Sequence, residues 1–470
     1  MKNTFRKITA LTLSILTVAS LASCNKDKPE DISDSQESSL SEKTEDGKTI
    51  ITIGMPGMNQ LLLPSVNDFN NKNENYHLEI IDYSKGIKDD DIEGTKALNA
   101  LKMALATDEA PDIIGLHPAY IAELLQKDMF TDMYALMDSC EGVKREDFLP
   151  NVLEGFEVNG EIPAISNCFV IGTAVAKTKF VGEECENWTP QQAIDAYNKY
   201  SDSMDFLPRH GDENIFHDFM LKKAVQSSVD LSTYTCNFMN SEFITLLDFI
   251  GKADFTTYIP DYEKMTAEEN HALAMDSETA YINDKTLIST SEIRGIGQVV
   301  ANWMYSGFGG EAVTFVGYPS EDGNGAVTRS VWMYAISEKS QNKEAAWEFI
   351  NSLFSEEAME EIYETTEGIP VLTEYLDRQK NNKDKEDYRS IYNKLYVPGS
   401  NFEEGMYITE DVVQKLYDYI LSVKFEPYTD WRIEEIIDEE CAAAIAGEKS
   451  AEEVAEILDS RLGIYLSERS

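Results

Sequence analysis

The sequence predicts an α/β protein whose body begins with a mainly parallel sheet carrying helices on both faces. Three observations lead to this prediction: a β-branched run at residues 48–54, an alternation of strand and helix patterns up to residue 115, and a length of 470 residues. Hydrophobic residues make up 42% of the chain, which is enough to bury substantial cores. Because domains usually contain roughly 100–200 residues, this length indicates two large lobes or three small domains.

The first residues have the pattern of an export signal. Basic residues precede an uncharged stretch at residues 8–22, which is shorter than the roughly 20 residues that a membrane-spanning helix needs. Leu-Ala-Ser-Cys at residues 21–24 resembles the bacterial lipobox, in which Cys24 is lipidated, for example with palmitate, and becomes the new N-terminus. We therefore expect a lipoprotein signal peptide at residues 1–23. An ordinary secretory signal with a chance cysteine is the alternative.

A polar segment at residues 24–47 separates this signal from the body. It consists mainly of Lys, Asp, Glu, Ser and Gln, and Ile32 and Leu40 are its only large apolar residues. Such a composition cannot bury enough apolar surface to fold. We expect the lipidated Cys24 and a disordered tether here, which would hold the body at the extracellular face of the cell membrane.

The body up to residue 115 alternates between strand and helix patterns. Strands are predicted at residues 48–54, 76–83 and 110–115, and helices at residues 61–71 and 98–105. The first helix places Leu62, Val66 and Phe69 on one face. A β–α–β–α–β order makes consecutive strands parallel, because each helix returns the chain across the sheet.

The remainder of the chain is richer in helix signals. Thr189-Pro-Gln-Gln192 and Ser450-Ala-Glu-Glu453 are capping boxes that open helices. A further helix at residues 433–441 should stop at Gly447. Strands are predicted at residues 285–290, 312–316 and 331–336, and the last two could rejoin the first sheet.

Charge, cysteine content and motifs exclude several function classes. The formal net charge is −45, and a field of this sign repels phosphate, so we expect no nucleic acid partner. The cysteines other than Cys24 are odd in number and include no C-x-x-C pair, so neither a disulfide framework nor a zinc site is predicted.

The chain lacks a nucleophile elbow, a P-loop and an H-E-x-x-H motif. The acidic run at residues 89–94 lacks the final glutamate of a calcium loop. We expect no catalytic residue, no metal and no cofactor.

Several motifs occur in an order that is typical of one family. They are Ala110-Pro-Asp-Ile-Ile114, Gly160-Glu-Ile-Pro163, Trp188-Thr-Pro-Gln-Gln192, the run at residues 335–350, Glu367-Gly-Ile-Pro370 and the ending at residues 436–466. In this order the chain resembles the family 1 extracellular solute-binding proteins, the maltose-binding-like receptors of ABC importers. The resemblance covers nearly the whole body, and the run at residues 335–350 is its closest part. Trp188 and Thr189 are exchanged relative to the family pattern.

The resemblance implies a two-lobed, periplasmic-binding-protein-like (type II) fold, in which hinge-linked lobes close on a solute. Lobe 1 would comprise residues 48–166 and 315–372, and lobe 2 would comprise residues 167–314 and 373–470. The protein would then be a membrane-anchored, non-catalytic binding protein. It would capture a sugar or oligosaccharide and deliver it to ABC permease subunits.

Candidate solute contacts come from the loops after predicted strands and from positions that the family uses. They are Asn59, His117, Tyr120, Asn167, Ser291, Glu292, Trp332, Tyr428 and Trp431. An amide such as Asn59 suits sugar hydroxyls because it both donates and accepts hydrogen bonds, and aromatic faces stack on the apolar faces of sugar rings. Structural roles are the alternatives: turn chemistry for Asn59, hinge backbone contacts for Asn167 and core packing for the aromatic residues. Trp303 and Trp347 are expected in the core.

Other interpretations of the same sequence stay open. A peptide or another small polar molecule could replace the sugar as the solute. A secreted lipoprotein glycosidase is a more distant alternative, since 85 acidic residues leave many candidate carboxylate pairs. An adhesin or sensor partner without a transported ligand is the last alternative.

Overall fold

The computed structural model describes most of the chain after residue 42. The described residues are 43–87, 95–121, 124–125, 129–183, 187–212, 214–299, 307–365, 367–381, 410–426, 428 and 430–468. The predictions for the signal peptide, Cys24, the acidic run at 89–94 and Trp303 lie outside these residues. None of the described helices combines the length and the apolar composition that crossing a membrane requires.

Strands and helices follow one another along the body. The strands are β1 (Thr49–Met55), β2 (Tyr76–Asp82), β3 (Ile113–Leu116), β4 (Cys168–Lys177), β5 (Val229–Asp230), β6 (Thr235–Cys236), β7 (Ile288–Ile293), β8 (Val313–Phe315), β9 (Val327–Ser330), β10 (Met333–Ile336) and β11 (Ile369–Pro370). The helices before β7 are α1 (Leu63–Lys72), α2 (Thr95–Ala106), α3 (Pro118–Ile121), α4 (Met133–Ser139), α5 (Pro150–Phe156), α6 (Thr178–Val181), α7 (Pro190–Tyr200), α8 (Ile215–Ser227), α9 (Ser241–Lys252) and α10 (Ala267–Thr279). The later helices are α11 (Ile296–Val299), α12 (Lys343–Ser352), α13 (Glu356–Thr365), α14 (Thr373–Asn381), α15 (Glu410–Ser422), α16 (Trp431–Ile445) and α17 (Ala451–Ser467).

The first sheet has the strand order β10-β3-β1-β2. β1 is parallel to both β2 and β3, which confirms the parallel sheet predicted for the first part of the body. β10 joins β3 in the antiparallel direction, so the strand predicted at residues 331–336 does return to this sheet. Ile51 and Ile53 are fully buried, and a continuous apolar run is typical of a strand covered on both faces.

The second sheet is built around the long strand β4. β7 and β11 pair with one edge of β4, and β9 and β8 pair with the other edge, all in the antiparallel direction. The prediction that residues 312–316 rejoin the first sheet is therefore wrong, because β8 finds its hydrogen-bond partners at Val175–Lys177. β7 also begins and ends later than the predicted strand at 285–290, because its pairing with β4 extends to Ile293.

Three short segments connect the two sheets. Ile165 exchanges backbone hydrogen bonds of 2.8–2.9 Å with Tyr334 just before β4 begins. Val331 and Trp332 alone separate β9 in the second sheet from β10 in the first. In the third segment, which follows β11, the Val371 amide donates to the Asn167 carbonyl at 3.2 Å. These segments lie side by side, so they can serve as a common hinge.

Two hydrophobic cores lie on the two faces of β4. Phe169, Ile171 and Val175 belong to the core that also contains the first sheet, whereas Ala174 and Ala176 belong to a second core formed mainly by helices. This division follows from the alternation of side chains along a strand. Trp347 is buried in the first core, which confirms its predicted position, and its indole nitrogen donates to the Glu141 carbonyl at 3.3 Å.

The capping boxes begin helices as the sequence predicts. The Thr189 hydroxyl accepts from the Gln192 amide at 3.3 Å, and the Gln192 side chain accepts from the Thr189 amide at 2.8 Å. Ser450 and Glu453 make the same reciprocal pair at the start of α17. The preceding helix α16 ends at Ile445, and Gly447 follows with a φ of +71°, which glycine adopts without strain.

Candidate functional site

Two loops at one edge of the first sheet carry three of the predicted contacts. β1 and β3 are parallel neighbours, so their carboxyl ends meet at the same edge, which is where open α/β sheets bind ligands. Asn59 lies in the loop after β1, and His117 and Tyr120 follow the end of β3 directly. The fold therefore brings these three side chains to one edge.

Asn59 caps a local turn. Its side-chain oxygen accepts from the Leu61 amide at 3.0 Å at the start of the 3-10 helix Gln60–Leu62. This hydrogen bond is the turn chemistry that the sequence offered as the alternative to solute contact.

His117 is exposed at this edge, and Tyr120 is half-buried against the first core. Their rings lie 6.2 Å apart in an edge-to-face arrangement. Partial desolvation lowers the pKa of His117, the positive charge of Arg329 lowers it further, and Glu434 opposes the shift. His117 in the first sheet's loop is therefore within electrostatic range of residues on β9 and α16.

A cluster of charged side chains lies on one face of the second sheet. Glu292 on β7 is directly opposite Gly172 of β4, and Arg329 on β9 is directly opposite Val170. Since Val170 and Gly172 are two residues apart, both charged side chains lie on the same face of the sheet. Gly172 has no side chain to separate them, so they meet across β4.

Two arginines hold the Glu292 carboxylate. Nε and Nη2 of Arg329 donate to Oε1 of Glu292 at 3.0 and 2.7 Å, and Nη2 of Arg294 donates to Oε2 at 2.6 Å. Arg294 also donates from Nη1 to the Glu367 carbonyl at 2.8 Å. Each of the three clustered side chains is about one-third exposed: 33% for Glu292, 34% for Arg294 and 37% for Arg329. We call these three residues the arginine–glutamate cluster.

Tyr318 borders this cluster on the Gly172 face. A Cβ atom at Gly172 would lie 3.6 Å from the Tyr318 hydroxyl. Burial raises the pKa of Tyr318 to about 12, and the charges of Asp218 and Glu292 add to the increase. The hydroxyl therefore stays protonated at neutral pH and can donate a hydrogen bond.

Ser291 does not join the cluster. It is opposite Thr173 on β4, so its side chain lies on the other face of the sheet from Glu292. That face is covered near Thr173 by α15, because the Tyr419 hydroxyl donates to the Thr173 hydroxyl at 2.9 Å.

Asn167 and Trp332 lie in the segments that connect the sheets. The Asn167 side chain donates to the Leu353 carbonyl at 3.4 Å, so it binds backbone near the hinge. Trp332 is half-buried against the first core, and a Cβ atom at Gly115 would lie 3.0 Å from its indole nitrogen. Among the described residues, this buried nitrogen has no hydrogen-bond acceptor.

Tyr428 and Trp431 lie close in sequence but differ in their surroundings. The Tyr428 hydroxyl donates to the Phe156 carbonyl at 2.7 Å, and burial raises its pKa strongly, as expected for a side chain in the core. Trp431 is the first residue of α16, and the Arg432 guanidinium lies 4.6 Å from its ring centroid. Its indole nitrogen is buried and, within the described part of the chain, has no acceptor.

Sequence reasoning missed Arg329, Tyr318 and the acidic residues of α8 and α16. Burial raises the pKa of Asp218, and neighbouring acids including Asp438 and Glu434 act in the same direction. None of these residues lies in a motif, and only the pairing of β4 with β7 and β9 reveals the cluster. The signal available in the sequence was the glycine inside the largely apolar strand β4, since such a glycine indicates close approach of another group.

The site offers no metal centre in the described residues. No group of three or more His, Cys, Asp or Glu side chains among them could hold a metal ion. Cys140, Cys168, Cys236 and Cys441 are thiols without a disulfide partner in the described part of the chain.

Comparisons with known proteins agree with this geometry. A family profile described as bacterial extracellular solute-binding protein matches residues 66–388. The comparison with curated protein sequences returned no match. Among solved structures, the fold is similar to that of three bacterial proteins at low sequence identity, and it is the two-lobed α/β fold of these proteins.

The first is a family 1 extracellular solute-binding protein from Alicyclobacillus acidocaldarius, with 15% identity, a TM-score of 0.54 and coverage of 89% of this chain and 98% of that one. The second is the sugar-binding protein MalE from Xanthomonas citri, with 16% identity, a TM-score of 0.55 and coverage of 90% of this chain and 98% of that one. The third is a cyclic alpha-maltosyl-1,6-maltose binding protein from Arthrobacter globiformis, with 12% identity, a TM-score of 0.52 and coverage of 90% of this chain and 100% of that one.

Proposed function

Because the chain belongs to the bacterial extracellular solute-binding proteins, we propose that it captures a sugar or oligosaccharide between its lobes and delivers it to an ABC permease. One observation carries the proposal: His117, at the edge of the first sheet, is within electrostatic range of Arg329 on the face of the second sheet. Capture between lobes requires polar groups from both sides at one place. His117 and the arginine–glutamate cluster supply them.

The connecting segments support closure by a hinge. They contain residues 165–168, 330–334 and 369–372, and short backbone hydrogen bonds hold them together. The sequence predicts a lobe boundary at residue 315, but β8 and β9 pair with β4 in the second sheet. We therefore propose that this boundary lies in the segment 330–334, so that lobe 1 comprises residues 48–166 and 331–372 and lobe 2 comprises residues 167–330 and 373–470. The boundaries at residues 166 and 372 coincide with two of these segments. Rotation about them would move the groups of the two sheets toward a bound solute.

Two arguments support a sugar as the solute. The similar proteins from Xanthomonas citri and Arthrobacter globiformis are described as binding proteins for a sugar and for cyclic alpha-maltosyl-1,6-maltose. The candidate contacts include the half-buried aromatic residues Tyr120, Trp332 and Trp431 as well as charged hydrogen-bonding groups such as Glu292. Sugars need both kinds of partner, because their rings have apolar faces and polar edges. A peptide or another small polar solute is the alternative.

We propose that binding proceeds without catalysis. Both carboxylate oxygens of Glu292 already accept guanidinium hydrogen bonds. Such a carboxylate is suited to positioning arginines.

We also propose that Cys24 anchors the protein to the extracellular face of the cell membrane. The Leu-Ala-Ser-Cys ending of the export signal supports this proposal. The replacement Cys24→Ser should release the protein into the culture medium and abolish labelling with a palmitate analogue. Retention of both the label and the membrane location would contradict anchoring at this residue.

A thermal-shift screen of the protein without its first 24 residues tests the solute proposal. Sugars, oligosaccharides and peptides are added separately, and a solute that binds only the folded state must raise the Tm. We expect a shift with at least one sugar and none with the peptides. An increase in Tm with peptides but with no sugar would indicate that the solute is a peptide. Release of hydrolysis products over hours would contradict a non-catalytic role.

A further inference from the structure

We propose that Tyr318 is a solute-binding residue and that its hydroxyl donates a hydrogen bond to an uncharged oxygen of the captured sugar. This inference rests on the proposed function, since it adds a residue and a type of contact to the site described there. No motif identifies Tyr318, which lies in the run Gly317-Tyr-Pro-Ser320 after β8.

The backbone holds Tyr318 at a fixed place beside the second sheet. The amides of Val316 and Gly317 both donate to the Ala174 carbonyl of β4, at 2.9 and 3.0 Å. The Tyr318 amide donates to the Gly325 carbonyl at 2.8 Å. Gly317 has a φ of +64°, and a Cβ atom there would lie only 2.7 Å from the Gly325 Cα atom. The close approach of these two segments fixes the direction in which the Tyr318 side chain leaves the backbone.

The Tyr318 side chain lies between the second core and the arginine–glutamate cluster. Its ring packs against that core, with a centroid 6.1 Å from that of Phe219 on α8. Its hydroxyl lies at the face of β4 where Gly172 has no side chain, 3.6 Å from the place of a Cβ atom. Glu292 is directly opposite Gly172 and lies on the same face of the sheet. The apolar part of Tyr318 is therefore packed, and its polar end lies beside the cluster.

The Tyr318 hydroxyl is a donor that lacks an acceptor in the described part of the chain. The other half-buried tyrosines Tyr419 and Tyr428 each donate from their hydroxyls to a described residue. Partial burial raises the pKa of Tyr318 to about 12, so the proton stays on the hydroxyl at neutral pH. Because a desolvated tyrosine hydroxyl usually has a hydrogen-bond partner, a sugar oxygen is a suitable acceptor.

The charges near this hydroxyl favour an acceptor without a negative charge. The carboxylates of Asp218 and Glu292 both raise the pKa of Tyr318, and Asp218 contributes more. Glu292 is paired with the two arginines of the cluster. On the Asp218 side, one lysine is opposed by three further acids: Lys222 against Asp212, Glu434 and Asp438. These acids would repel a carboxylate or phosphate, whereas a sugar hydroxyl or ring oxygen can accept the hydrogen bond uncharged.

The variant Tyr318→Phe tests this assignment, because it removes the hydroxyl and keeps the ring. The protein without its first 24 residues is titrated calorimetrically with maltotriose, cellotriose and galactotriose, and the variant is compared using the sugar that the wild type binds most tightly. We expect about 3- to 10-fold weaker binding by the variant, with the same ratio at low and high salt. The midpoint of urea unfolding should not fall, because the hydroxyl has no acceptor to lose among the described residues.

Tyr197→Phe is the matched control. Tyr197 belongs to the same core and packs against Phe206 and Phe249, so this variant should bind the sugar as the wild type does.

Equal affinities of Tyr318→Phe and the wild type would overturn the inference and leave the proposed function intact. A lower unfolding midpoint, with or without a change in affinity, would assign the hydroxyl to the fold. A ratio of affinities that shrinks with added salt would contradict an uncharged acceptor. If the wild type binds none of the three sugars, neither the proposed capture of a sugar nor this inference stands.

Discussion

Glu292 and Arg329 differ in whether the sequence alone identifies them as candidate site residues. Residue type and the nearby strand pattern identify Glu292 as a candidate contact. Arg329 has no such signal, because Val327-Thr-Arg-Ser330 contains no motif. The two side chains meet only because β7 and β9 pair with opposite edges of β4. Strand pairing over such sequence distances is decided by packing of the whole sheet, which local patterns do not contain.

The environment of His117 predicts how its replacement changes acid sensitivity. Its pKa is lower in the folded protein than the usual value of about 6.5, so the unfolded chain binds this proton more readily. The contribution of neutral His117 to the free energy of unfolding is complete above a pH of about 6.5 and is lost as the pH falls below it. Between about pH 7.5 and 5.5, the Tm of His117→Gln should therefore fall less than that of the wild type.

The exposed His271 on α10 provides the control for this experiment. His271→Gln should keep the acid sensitivity of the wild type. Identical Tm profiles for His117→Gln and the wild type would show that Arg329 and desolvation do not act on His117.

Tyr428 should be important for stability through its hydroxyl. The buried hydroxyl donates to the Phe156 carbonyl at 2.7 Å, so Tyr428→Phe leaves a buried acceptor unpaired. We expect a loss of about 1–2 kcal/mol in the free energy of unfolding, measured with urea. Tyr262→Phe in an exposed loop is the control and should change little. An unchanged stability for Tyr428→Phe, with weaker solute binding, would assign Tyr428 to the solute after all.

At the level of secondary structure, local chemistry predicted helix starts better than strand positions. The capping boxes at Thr189 and Ser450 begin α7 and α17 at the expected residues. They are predictable because the two partners of each capping box are only three positions apart in the sequence. β7 begins later than predicted and β9 was not predicted at all. The hydrogen bonds of both strands go to β4, more than 100 residues away, so no local pattern fixes their ends.

The Ser450 cap gives a prediction for α17. Ser450 accepts from the Glu453 amide at 3.2 Å, and the helix buries Val454, Leu458 and Leu462 in the second core. Ser450→Ala should lower the free energy of unfolding by about 1 kcal/mol, because a helix N–H group loses its acceptor. Ser241→Ala, at the exposed first position of α9, is the matched control and should have a smaller effect. Equal effects of both variants would show that the cap does not stabilise the protein.

For the whole molecule, the family and the two-lobed α/β fold could be inferred from ordered motifs, whereas the site could not. Motifs such as Gly160-Glu-Ile-Pro163 and Glu367-Gly-Ile-Pro370 lie next to the connecting segments, where backbone geometry is restricted. Solute contacts depend on which loops and sheet faces meet, and an identity of only 12–16% to the similar structures does not allow contact residues to be transferred position by position.

Closure of the molecule should be measurable in solution. If the connecting segments at 165–168, 330–334 and 369–372 act as a hinge, a sugar identified by the thermal-shift screen should bring the lobes together. Small-angle X-ray scattering should then show a smaller radius of gyration with the sugar than without it. A peptide that causes no thermal shift is the control. An unchanged radius at saturating sugar would contradict hinge closure.

A crystal structure of the complex with that sugar tests the central claim most directly. We predict that the sugar lies between the two sheets, with hydrogen bonds to the arginine–glutamate cluster on one side and to the loop that contains His117 and Tyr120 on the other. A sugar bound to one sheet alone, or at a surface away from both groups, would contradict capture between the lobes.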